Sequence, residues 1–245
     1  MDYNKYNFTG KQWVLQILLY VVIDGIVSIL FYRSFLVFIL FLPGFFFFLK
    51  QRKADYIAAG KKELSQQFLT GIQAVSAALA AGYSVENAFE EALEDIDRVF
   101  EKEDKIIKEF TYIRNQLKLN NTLESLLLDL AKRSRIEEIE NFAEVFSAAK
   151  RSGGDLIAII RNTILCISQK EETKMEIETC LSAKRLEQKI MSGVPFLILV
   201  YVWAASPGFL DVMYYNPAGI CIMSLCLVVY VAAYMWGKKI VDIEV

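Results

Sequence analysis

The sequence predicts an all-α integral membrane protein. It is expected to have four transmembrane helices, two at each end, around a central six-helix cytoplasmic bundle. Three observations lead there. Hydrophobic residues make up 55% of the 245 residues and mean hydropathy is +0.33, above the 45–50% apolar content of ordinary soluble domains. Charged residues nevertheless reach 23%, so lipid-facing and aqueous segments must alternate. The polar centre shows helical spacing and no strand alternation.

The first apolar stretch, Trp13 to Phe31, is broken by Asp24, and Phe35 to Leu49 follows after three residues. Met191 to Ala205 and Ala218 to Trp236 form the second pair. Crossing about 30 Å of hydrocarbon takes about 20 helical residues, so the second and third stretches must borrow flanks, Tyr32 to Lys50 and Lys189 to Leu210. Trp13, Tyr20, Tyr32, Tyr214, Tyr215, Tyr234 and Trp236 lie near segment ends, where amphipathic rings suit the headgroup layer. The first stretch is too long for a cleaved signal peptide, lacks a small-residue cleavage site and leads into a second apolar run. A retained hairpin is expected.

Orientation follows from the basic residues beside the spans. One side receives Lys5 and Lys11, Lys50, Arg52 and Lys53, Lys184, Arg185 and Lys189, and Lys238 and Lys239; the other receives Arg33. Both termini and the centre are therefore expected in the cytoplasm of a cell (inner) membrane. The expected domains are residues 1–50, an N-terminal transmembrane hairpin; 51–189, the helical domain; and 190–245, a C-terminal transmembrane hairpin.

Within 51–189, apolar stripes mark successive helices. Leu64, Phe68, Leu69, Ile72, Val75 and Leu79 form the first, which Gly82 should end by adopting the left-handed conformation. Ser84 should cap a second helix bearing Val85, Ala88, Phe89, Ala92 and Leu93. Ile106, Ile107, Phe110, Ile113 and Leu117 form a third. Asn121 with Glu124 has capping-box spacing before Leu123, Leu126, Leu127 and Leu130. Ile136, Ile139, Phe142, Ala143 and Phe146 form a fifth. Gly153-Gly154 should break the chain, and Asp155 should cap a sixth helix through Leu156, Ile160, Ile164 and Ile167. No breaker follows before Gly193-Val194-Pro195, so one rod is expected from the domain into the third membrane segment.

The chemistry of a reaction centre is not evident. There is no histidine, which removes the commonest general base and metal ligand. Cys166, Cys180, Cys221 and Cys226 have no Cys-x-x-Cys spacing and are expected as semi-buried small side chains. No phosphate loop or nucleophile elbow occurs. A net charge of −2 gives no basic field for nucleic acid. No catalytic residue, cofactor or metal is expected, and the chain should be a scaffold or transducer. Two features could nonetheless carry function. Asp24 is the ionisable group deep in an apolar segment, where such groups are costly. The acidic run containing Glu90, Glu91, Glu94 and Asp95 is either a solvated face or a docking surface for a basic partner.

Phe68 to Phe89, FLTGIQAVSAALAAGYSVENAF, resembles the first half of the type II secretion system F domain, and Phe142 to Ile160, FAEVFSAAKRSGGDLIAII, its second half. The tail, with Pro195, Ser206-Pro207, Asn216-Pro217-Ala218-Gly219 and Gly237-Lys-Lys-Ile, fits the same pattern. One such domain between two hairpins looks like the TadB/TadC membrane proteins of tight-adherence (Flp) pilus assembly. The resemblance implies a platform that binds a hexameric cytoplasmic secretion ATPase and passes its motion to prepilin or pilin subunits. Its spans would pair with pilin helices, a paralogous platform protein or copies of itself, and Gly82, Ser84, Gly153 and Gly154 would form turns. The competing readings are a small transporter or channel, and a membrane-anchored helical signalling protein. The first would need a polar path and the second a sizeable external sensor, whereas the expected outward loops are short.

Overall fold

The computed structural model describes the chain except for residues 1–2, 5–7, 153–155, 207, 215 and 242–245. It is 86% helical and contains no strand among the described residues, which makes the fold all-α. The expected breaks at Gly153, Gly154 and Asp155 lie outside the described residues. The helices are α1 (Gly10–Tyr32), α2 (Phe35–Phe41), α3 (Gly44–Ala80), α4 (Val85–Asp97), α5 (Lys105–Leu117), α6 (Leu123–Ser134), α7 (Glu137–Ser152), α8 (Leu156–Ala205), α9 (Asp211–Tyr214) and α10 (Pro217–Val241).

These elements form two compact units. One comprises Met1–Asn7 with Arg52–Glu172, the other Phe8–Gln51 with Thr173–Val245. The first has a single apolar core. Phe68 of α3 meets Phe142 of α7 edge to face, with ring centroids 5.6 Å apart, and Phe89 of α4 lies 5.5 Å from Phe110 of α5. All four rings are buried, as are Leu127 and Leu130 of α6 and Ile160, Ile164 and Ile167 of α8. These are the stripes at three- and four-residue spacing, which can leave water only by packing against one another.

The turns explain where these helices stop. After α3, the Tyr83 amide bonds the Ala78 carbonyl at 3.2 Å and the Gly82 amide bonds Leu79 at 3.0 Å, a Schellman motif with Gly82 at φ +95°. Ser84 then caps α4, its Oγ accepting from the Asn87 amide. The same device ends α5. Asn121 N–H bonds the Gln116 carbonyl at 3.2 Å, Asn120 N–H bonds Leu117 at 3.0 Å, and Asn120 sits at φ +62°. The expected Asn121 capping box is therefore corrected. Asn121 closes the helix before it, its side chain donating to Gln116 Oε1 at 2.6 Å, and Thr122 takes the N-cap position of α6.

The second unit is apolar outside, and its interior mixes an apolar cluster around Phe31, Met223 and Leu227 with buried polar side chains. α1 buries Gln16, Asp24, Ser28 and Phe31 and exposes Val14, Leu15, Leu18, Val22 and Ile29, an outer face far more apolar than that of a helix in water. Three helices are long and apolar enough to span a membrane: α1, the apolar end of α8, and α10. The second apolar stretch is not one long helix. It turns at Leu42-Pro43 into α2 and the head of α3, because proline supplies no amide to carry a helix ladder onward. α8, by contrast, is 50 residues long with Pro195 inside it, so Gly193-Val194-Pro195 is no break. Proline is tolerated in membrane helices where neighbours satisfy freed carbonyls. Beside the Met191 carbonyl that Pro195 cannot bond, the Ser192 carbonyl accepts from the Tyr230 hydroxyl at 2.8 Å.

At one end of this unit Arg33, after α1, pairs with Asp211 of α9 at 2.8 Å, and the Tyr214 hydroxyl donates to the Leu30 carbonyl at 2.7 Å. The loops after α1 and before α10 thus share that end. All four cysteines are exposed, which corrects the expectation of semi-buried thiols. Their helices turn those positions away from neighbours.

Candidate functional site

Three places hold polar groups in arrangements that packing alone does not require. The first is the inward face of α1. Gln16, Tyr20, Asp24, Ser28 and Tyr32 recur every four residues, so each neighbours the next while the series winds slowly round the helix, and Tyr20, Asp24 and Ser28 share one strip. Gln16, Asp24 and Ser28 are only 1%, 5% and 3% exposed. The Tyr20 hydroxyl donates to the Phe41 carbonyl at 2.6 Å, Ser28 donates to the Ser34 carbonyl at 2.8 Å, and the Tyr32 and Ser224 hydroxyls are 2.9 Å apart. Asp24 Oδ2 is buried without a hydrogen-bond partner. Asp24 was visible in the sequence as a lone charge. The four-residue ladder around it was equally legible, but reading the stretch as an apolar run concealed it.

A buried ionic knot lies in the first unit, and the sequence reading missed it. Glu109 of α5 is buried and receives two parallel bonds from the Arg133 guanidinium of α6, each 2.7 Å. Arg133 Nε also bonds Asp129 at 2.7 Å, and its guanidinium carbon lies 5.5 Å from the Tyr112 ring centroid. Two residues ahead of the first span complete the knot. Tyr3 donates its hydroxyl to Glu109 Oε1 at 2.6 Å, and the Asn4 amide donates to the Arg133 carbonyl at 3.1 Å. Burial, then the bond to Glu109, push the Tyr3 pKa far above the usual phenol value, while the Glu109 bond raises that of Arg133. Bidentate charge-assisted bonds of this kind are the strong class. No local spacing signals the pairing, because its partners lie 24 and 106 positions from Glu109.

The third place is the acidic face of α4. Glu90, Glu94 and Asp95 are exposed and Glu91 half-buried. Glu90 pairs with Lys118 at 3.1 Å and Asp95 with Arg98 at 3.4 Å. Glu94 lines a shallow cleft of about 530 Å3 together with Asp97, Lys108 and Arg114. The negative field is thus partly compensated by the chain's own cations, and the four carboxylates form a mixed-charge surface.

The chain matches no family model, no curated protein and no solved structure.

Among the described residues no group of His, Cys, Asp and Glu is arranged to hold a metal ion. Glu109 and Arg133 neutralise one another. The turn residues Gly82 and Ser84 act on the backbone, as described, while Gly153 and Gly154 lie outside the described residues.

Proposed function

We propose that this chain is the membrane platform of a type IV-like (Tad/Flp) pilus or type II secretion machine, coupling a cytoplasmic secretion ATPase to pilin assembly. The observation that carries the reading is the continuity of α8. Its first turns supply Ile160, Ile164 and Ile167 to a packed helical core, and its last turns are apolar enough to cross a membrane. A single helix common to a folded body and a membrane span is a mechanical link, since an unbroken helix carries displacement along its axis.

In this reading the chain crosses the inner membrane four times, α2 and the head of α3 together making the second crossing. Both termini and residues 51–189 face the cytoplasm, where the basic flanks belong. The chain is not an enzyme, binds no cofactor or nucleic acid, and draws work from a hexameric ATPase. Its spans contact prepilin or pilin helices, a paralogous platform protein, or another copy of itself.

The test is capture. Tagged full-length chain, extracted in mild detergent, should retain a cytoplasmic secretion ATPase encoded beside it. Nucleotide turnover by the purified chain alone would overturn the proposal, as would folded chain that captures no such ATPase.

A further inference from the structure

The polar ladder of α1 plays no part in the platform reading. From position 20 to position 28 is eight residues, about 12 Å of axis at 1.5 Å per residue, a strip well inside the ~30 Å hydrocarbon layer. Over that length Asp24 and Ser28 are buried and Tyr20 half-buried, a polar strip that gives way towards the end of α1 to the apolar cluster around Phe31. Tyr20 and Ser28 send their hydroxyl protons to backbone carbonyls, so their oxygens retain lone pairs with which to accept. Between them sits Asp24, 5% exposed, its Oδ2 without a partner.

No cation balances this carboxyl among the described residues. On α1 its titratable neighbour is Tyr20, with Tyr32 further along, against Ser224 of α10. Arg33 is engaged with Asp211 of α9, and Tyr214 with the Leu30 carbonyl. α2 carries no ionisable side chain. From α3, Phe45 and Phe48 pack on Tyr20, and Lys50 is exposed. α10 contributes Cys221 and Cys226, both exposed, and Tyr230, which bonds Ser192; α8 contributes Phe196 beside Phe31. An orphaned, buried carboxylate oxygen with hydroxyl acceptors four residues away on either side calls for a small positive ligand. A proton removes the buried charge outright.

We propose that Asp24 is a proton-binding site within the membrane, exchanging with water along the polar strip of Tyr20, Asp24 and Ser28. The O–H bond made at Asp24 Oδ2 is the one broken on a hydronium ion, which leaves as water; release reverses the step. No other bond changes. This inference stands apart from the platform reading and survives its failure.

The experiment is infrared difference spectroscopy of the full chain in lipid vesicles. Above about pH 6, exposed carboxyls with ordinary pKa values near 4 are ionised, so a carboxylic-acid carbonyl band reports a buried acid. The expected result is such a band that shifts in deuterium oxide, fades as pH rises further, and is wholly absent in Asp24→Asn. Asp24→Glu should keep the band at a moved frequency, which guards against misfolding of the first variant. Absence of the band in the wild type overturns the proposal. A band that ignores deuterium overturns exchange, and one displaced by sodium at fixed pH reassigns the site to a metal cation.

Discussion

The ring of Phe110 occupies the space that a β-carbon on Gly71 would need: its Cζ would stand 2.7 Å away. α3 and α5 thus approach closely where α3 has no side chain, and Phe110 is itself held against Phe89. Gly71→Ala gains helix propensity worth about 1 kcal/mol but overpacks a rigid ring at a cost of about 1–3 kcal/mol. The expected net loss is about 1 kcal/mol, read as a midpoint about 2–4 °C lower in thermal melts. An unchanged or higher midpoint would show that Phe110 moves freely.

Removing the guanidinium from Glu109 should be the most damaging polar substitution in the helical domain. Arg133→Ala leaves a buried carboxylate unpaired, costing about 3 kcal/mol after allowance for the partial exposure of the arginine. Chemical denaturation of the full chain in detergent measures it. Adding Glu109→Leu to Arg133→Ala should restore much of the loss, because no charge is then left buried.

The Tyr3 contact should fail in alkali. Its pKa is raised in the folded chain, chiefly by burial, so the folded state holds the phenol proton more tightly than the unfolded chain. The contribution is complete below about pH 10, the ordinary tyrosine value, and declines as pH rises above it. Hydrogen exchange at the amides around residues 3 and 4 should accelerate there. Tyr3→Phe should exchange faster at neutral pH and lose this alkaline step; a step retained in that variant would assign it elsewhere.

A β-carbon on Gly219 would collide with the Met213 carbonyl oxygen. Backbone cannot yield as a flexible side chain does, so Gly219→Ala must push α10 away from α9. A loss of about 3 kcal/mol is expected, with weaker expression and earlier aggregation on heating. Wild-type melting would refute this packing.

Charge reversal at Glu90, Glu91, Glu94 and Asp95 separates docking from solvation. If this face meets a basic partner, the fourfold lysine variant should lose capture of the ATPase most at low salt, where screening is weakest. Capture equal to wild type at every ionic strength would mark the face as solvated only.

Much of the helical domain was legible because a soluble core writes itself as periodicity. Phe68, Phe89, Phe110 and Phe142 sit on stripes and are buried, and Gly82 signals a turn that few other residues could make. Glu109 was not legible. It lies among the apolar residues of α5, and whether such an acid faces water or a cation depends on Arg133, on another helix. Asn121 misled because asparagine both ends and begins helices. In the long apolar helices periodicity is silent, because apolar residues such as Phe31 lie inside as well as outside, so counting apolar content found Asp24 and passed over Gln16 and Ser28.

The outward-facing thiols have a practical consequence. Cys166 lies on the outer side of the core-packed first turns of α8 and Cys180 in its polar middle, while Cys221 and Cys226 lie in the apolar helix α10. With nothing packed over them, water-soluble and lipid-soluble maleimides applied to the unmodified chain should sort the four into two classes. The natural molecule therefore carries its own depth gauge, and which helices enter lipid can be mapped without altering a residue.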